Sequence, residues 1–187
     1  MFNHFKELTS EINSQEHNNI DITQFIQTED TGSILDKFIT AEEILKVIRN
    51  LKNNKAAGPD YILNEYIVAT KELLLPLYVK LFNRVLDSGK IPVDWLIGWI
   101  VPIFKKKGNP TDPSNYRGMT VLSCLGKVFT SILNNRLTAF SNLYNILLEN
   151  QAGYRKGYST IDQIFLLKGL IDLFINKSKM LFCLFVD

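Results

Sequence analysis

Seven residues, Gly98-Trp99-Ile100-Val101-Pro102-Ile103-Phe104, are followed by Lys105-Lys106-Lys107-Gly108-Asn109-Pro110 and then by a second short apolar run around Met119-Thr120-Val121-Leu122. Each run is too short for a helix and is bounded by turn residues, which favours strands. Pro102 lacks an amide donor and fits only an edge position. Two such runs with a turn between them predict an antiparallel hairpin carrying three lysines at its tip. Elsewhere the apolar residues keep a helical period. The expected fold class is therefore α+β, mainly helical with a small antiparallel hairpin.

The helical expectations are specific. Thr40-Ala41-Glu42-Glu43 has the spacing of a capping box, and Ile44, Val47, Ile48 and Leu51 follow as one stripe. Asn53 to Asp60 reads as a loop, because Pro59 removes a donor and biases Gly58 away from helix. A second helix is expected from about Ile62 to Leu86, interrupted near Pro76, with Leu74, Leu77, Tyr78, Leu81, Phe82 and Val85 inward and Gly89 as its stop. Ser123 is expected to cap a helix reaching about Ala139, with Leu125, Val128, Ile132 and Leu133 inward. Ser159 or Thr160 is expected to cap another, with Ile164, Leu167, Ile171, Phe174 and Ile175 on one side. The apolar run from Met180 to Asp187 predicts a buried central strand. Such a strand continues into a turn in ordinary folds, so the chain is expected to break off at residue 187.

Composition narrows the function classes. With 46% apolar and 21% charged residues the chain is of globular type. Its longest apolar run is about ten residues, half of what a membrane helix needs, and its start lacks a signal-peptide core. Cys124 and Cys183 cannot make a disulfide framework or a four-ligand zinc site, which fits an intracellular protein of cytoplasm or nucleus. Both histidines, His4 and His17, lie in residues 1–38, a polar, acid-rich stretch expected to be a linker or tail ahead of a domain at 39–187. A Ser-His-Asp or Cys-His nucleophile is thereby unsupported. Residues 99–158 hold eight bases against Asp112 and Glu149, whereas residues 1–43 hold nine acids against Lys6 and Lys37. The basic stretch is either a solvated face or a surface for a polyanion.

Five pieces stand in a telling order: Lys55-Ala56-Ala57-Gly58-Pro59-Asp60, Pro102-Ile103-Phe104-Lys105-Lys106-Lys107-Gly108, Asn115-Tyr116-Arg117-Gly118-Met119, Gln151-Ala152-Gly153-Tyr154-Arg155 and Phe185-Val186-Asp187. In order and approximate spacing they resemble the reverse transcriptase domain of non-LTR, jockey-like retrotransposons, from about Ile39 onward. None is specific alone, but five in register are. Ala57 and Gly118 stand where many relatives have proline, and Tyr61 where glycine is frequent.

The resemblance implies the fingers and the start of the palm of a right-hand polymerase fold, whose parent enzyme copies an RNA template from a DNA primer with deoxynucleoside triphosphates and Mg2+. It implies that Lys105 and Arg117 grip the nucleotide's phosphates, and that Lys106, Lys107, Gln151, Gly153, Arg155 and Lys156 lie against nucleic acid. Asp187 matches the family's catalytic metal ligand. A lone aspartate cannot hold two metal ions, so the chain by itself is expected to be inactive. A non-catalytic RNA- or DNA-binding module, or an inactive retroelement remnant, is the alternative.

Overall fold

Thr40 opens a helix as its sequence dictates. In the computed structural model, which describes residues 3–7, 35–147, 151–153 and 155–184, helix α1 spans Ala41–Ile48. The Glu43 amide donates to Thr40 Oγ1 at 3.3 Å, and the Thr40 amide donates to Glu43 Oε2 at 2.9 Å, completing the capping box. Ile44, Val47 and Ile48 are buried, and Leu51 packs against them.

Helix α2 runs unbroken over Asn64–Ser88, so the interruption expected at Pro76 does not occur. The physical reason is position. Pro76 and Glu72 are both exposed, so the Glu72 carbonyl that loses its partner faces solvent, while Tyr78, Phe82 and Val85 hold the helix on its core side. Leu77, expected inward, is exposed. Gly89 ends the helix in the left-handed conformation at φ 64°, which a residue without Cβ adopts cheaply. Buried Asn83 holds the chain ahead of α1, accepting from the Ile39 amide at 2.6 Å and donating to the Ile39 carbonyl at 2.9 Å.

A four-residue helix, α3 (Val93–Leu96), was not expected from the sequence. It turns Trp95 toward Phe82 and Phe129, with ring centroids 6.0 and 5.8 Å away. These rings join Ile39, Ile44, Ile67, Val128 and Ile132 in the core between α1, α2 and the helix that follows the hairpin. Each such side chain contributes about 1.5–3 kcal/mol when fully buried.

Strands β1 (Gly98–Phe104) and β2 (Tyr116–Leu122) form the expected hairpin, antiparallel, with Pro102 opposite Gly118 and Ile103 opposite Arg117. The second strand starts three residues earlier than expected, which places Arg117 within the ladder. The Lys105 amide donates to the Asn115 carbonyl at 2.8 Å, one bond beyond β1. Inward amides on β1 are thus those of residues 99, 101 and 103, and Pro102 takes a position whose amide would point away from β2. No ladder bond is lost.

Ser123 Oγ accepts from the Gly126 amide at 3.1 Å and opens helix α4 (Cys124–Leu143), which outruns the expected end at Ala139 by four residues. Ser159 caps helix α5 (Thr160–Asn176) in a reciprocal box with Asp162. The residues fall into two compact units, Met1–Phe140 and Ser141–Asp187.

Two expectations for the second unit change. No residue of α5 is buried, and of its expected inward stripe only Leu167 and Phe174 are half-covered. Residues 180–184 form no strand, and Phe182 and Leu184 are exposed, since no strand among the described residues offers them a ladder. Phe185, Val186 and Asp187 lie outside the described residues, as do residues 8–34 of the expected linker.

Candidate nucleic-acid interface

The hairpin tip is a braced loop rather than a loose string of lysines. Asp112 accepts the Ser114 amide at 2.9 Å through Oδ1 and the Ser114 hydroxyl at 2.7 Å through Oδ2. These bonds hold the Asp112 carboxyl below its usual range. Asn109 Oδ1 accepts the Thr111 amide at 3.0 Å, and the Tyr116 hydroxyl donates to the Pro110 carbonyl at 3.0 Å. Lys105 folds onto this frame, its ammonium donating to the Ser114 carbonyl at 2.8 Å, while Lys106 and Lys107 are exposed. Arg117 is exposed on β2. Strand alternation places it on the face that also carries Ile103, Val101, Trp99 and Met119. The structure thus brings Lys105, Lys106, Lys107 and Arg117 to one end of one hairpin.

Gln151, Gly153, Arg155 and Lys156 belong to the second unit. The Arg155 guanidinium donates to the Gln151 carbonyl at 3.4 Å and lies 4.6 Å from the centre of the Tyr158 ring, a cation–π arrangement. A Cβ placed on Gly153 would meet nothing within 4 Å. Arg136, counted by sequence among the bases of the basic stretch, is withdrawn from any polyanion surface because it is 7% exposed and bonded to Glu43 and to backbone carbonyls.

The Gly58-Pro59-Asp60 loop sits directly on the junction of β2 and α4. A Cβ at Gly58 would stand 2.5 Å from the Leu122 carbonyl carbon and from the Ser123 nitrogen, so only glycine fits. Cys124 is buried at this junction, and burial pushes its thiol up, which makes it a packed side chain and not a nucleophile. Just beyond, Tyr61 takes a left-handed backbone at φ 56°, at a cost of about 1–2 kcal/mol for a residue with a Cβ. Its ring meets Trp99 edge to face, centroids 5.3 Å apart at 71°. Sequence reasoning passed over this pair. The available signal was tyrosine at a position where a turn prefers glycine.

Among the described residues no cluster of three or more His, Cys, Asp or Glu side chains could hold a metal ion, so those residues do not make a Mg2+ site. No described helix is long and apolar enough to cross a membrane.

No protein-family model matches the chain. Curated proteins do. The RNA-directed DNA polymerase from mobile element jockey of Drosophila melanogaster is 32% identical over 126 residues, 67% of this chain. The probable RNA-directed DNA polymerase from transposon BS of the same species is 29% identical over 143 residues, 76% of this chain, and the one from transposon X-element is 30% identical over 123 residues, 65% of it. The chain belongs to the jockey-like non-LTR reverse transcriptase family. It spans a small part of these relatives, the matched segments making up 14%, 16% and 13% of their lengths. The family segment carries the hairpin with its side-chain-braced lysine tip and the Gly58 loop seated against the β2–α4 junction.

Proposed function

We propose that this chain is the fingers, with the start of the palm, of a right-hand RNA-directed DNA polymerase, and that the parent enzyme transfers deoxynucleotides to a DNA primer on an RNA template with Mg2+. The observation that carries this reading is the braced hairpin tip, which holds Lys105, Lys106 and Lys107 at the end of the ladder that carries Arg117, with no acidic strand residue on the Arg117 face. A triphosphate places several negative charges where a polymerase must stabilise a leaving pyrophosphate, and preorganised cations do that without reorganising. Arg117 suits two phosphate oxygens through its planar fork, and Lys105 acts as a point charge once it exchanges the Ser114 carbonyl for phosphate. In this reading Lys106, Lys107, Gln151, Gly153, Arg155 and Lys156 border the nucleic acid, residues 1–38 are a linker or tail, and Asp187 is a ligand of the catalytic metal. Magnesium would supply charge neutralisation at the phosphates.

Salt-titrated binding of the purified chain to RNA tests the reading. If about four cations contact phosphates, the log–log slope of affinity against salt is about −3 to −4, falling toward zero when Lys105, Lys106 and Lys107 become alanine. A slope near zero, or one indifferent to those replacements, removes the hairpin from the interface.

A further inference from the structure

We infer that Tyr61 and Trp99 form a platform on which bases of an unpaired RNA strand stack while the hairpin's cations hold its phosphates. This rests on the polyanion reading of the hairpin and adds a second mode of recognition to it. Tyr61 is 71% exposed and Trp99 42% exposed. Neither ring is there to fill the core, which Trp95 does between Phe82 and Phe129. The left-handed backbone at Tyr61 would be satisfied by glycine, so backbone preference does not account for the tyrosine either. An edge-to-face pair leaves ring faces open, and every base has a π-face to offer them.

The surroundings fit a nucleic-acid strand better than an apolar partner. Trp99 lies on the same sheet face as Arg117. The four steps along the strand from Trp99 to Ile103, which pairs with Arg117, span ~13 Å, within the smallest single-strand footprint of about four nucleotides. None of the strand residues on this face is acidic. The neighbouring Asp60 is turned inward, one oxygen accepting the Ile62 amide at 3.2 Å and the other buried. The face therefore offers rings at one end, apolar side chains between, and cations at the other.

The experiment compares two RNA-type strands of about 12 nucleotides, one of uridines and one abasic with the same phosphates, binding to the full chain. The uridine strand is expected to bind at least fivefold tighter than the abasic one and to quench tryptophan fluorescence. Quenching should persist in Trp95→Phe and vanish in Trp99→Phe. Tyr61→Gly, which the positive φ accommodates without refolding, should weaken the uridine strand about fivefold and leave the abasic strand within twofold. Equal affinity for the two strands, with quenching indifferent to Trp99, overturns the platform while leaving the phosphate contacts standing. Failure of both strands to bind overturns both readings.

Discussion

Arg136 on α4 and Glu43 on α1 meet in a two-pronged ion pair, Nε to Oε1 at 2.8 Å and Nη2 to Oε2 at 2.9 Å, although 93 residues separate them. The same guanidinium reaches the carbonyls of Leu35, Lys37 and Phe38. Glu43 is also the reciprocal member of the Thr40 capping box. One carboxylate thus starts α1, and the arginine that pairs with it fastens the segment ahead of α1 to α4. A planar fork with five donors can serve all of these acceptors; an ammonium cannot.

Arg136→Ala is expected to destabilise the first unit by about 2–3 kcal/mol, less than for a fully buried pair because the Glu43 side chain is 33% exposed. Arg136→Lys should recover less than half of that. Urea denaturation followed by far-ultraviolet circular dichroism gives both values, and full recovery by lysine would show that charge alone matters.

The Arg136 guanidinium holds the Glu43 carboxyl below its ordinary value of 4.5. A lowered folded-state value means stabilisation that is present above about pH 4.5 and lost as pH falls through the folded value. Unfolding free energy should therefore drop on acidification below that point, and the drop should be shallower in Glu43→Gln. Identical pH slopes for the two proteins would show that Glu43 does not carry the effect.

Much of this was readable in the sequence, and the exceptions have physical reasons. The Thr40 box, the Gly89 stop, the hairpin and the Ser123 and Ser159 caps are local signals, completed within a few residues. Arg136 was misjudged as a surface base because its acceptors are a carboxylate and carbonyls some hundred positions away. Pro76 was misjudged because the cost of a missing amide depends on which side of the helix faces water. Residues 180–184 have strand composition, yet a strand is a relation between two segments, and composition describes only one. The tip lysines were legible as charges; the Asp112 and Asn109 bonds that brace them were not.

Gly58→Ala should cost about 1–3 kcal/mol, because the clash is with backbone atoms of Leu122 and Ser123 that have no rotamer to escape into. Gly153→Ala is the contrast. Its new methyl meets nothing within 4 Å, and the change in stability should stay within about 0.5 kcal/mol. Thermal midpoints of the two variants, measured side by side, check the difference.

Tyr61→Gly sets two effects against each other. It relieves about 1–2 kcal/mol of left-handed strain and forfeits about 0.5–1.5 kcal/mol of edge-to-face contact with Trp99, besides loosening the unfolded chain. The net change in denaturant stability should lie within about 1 kcal/mol. A larger loss would mean that Tyr61 is a structural anchor of the loop.

Pro102 gives the hairpin a direction of growth. Among the described residues both strands are edges of a two-stranded sheet, but the outer margin of β1 lacks the donor that Pro102 would otherwise supply at its centre. Along the outer margin of β2 the Tyr116 amide is already given to the Pro113 carbonyl and the Gly58 loop lies against Leu122, which leaves the Gly118 and Thr120 amides between them. A further strand, whether from the same polypeptide or from another, meets two consecutive outward donors at the middle of β2 and a gap at the middle of β1, so growth of the sheet is favoured on one side and hindered on the other.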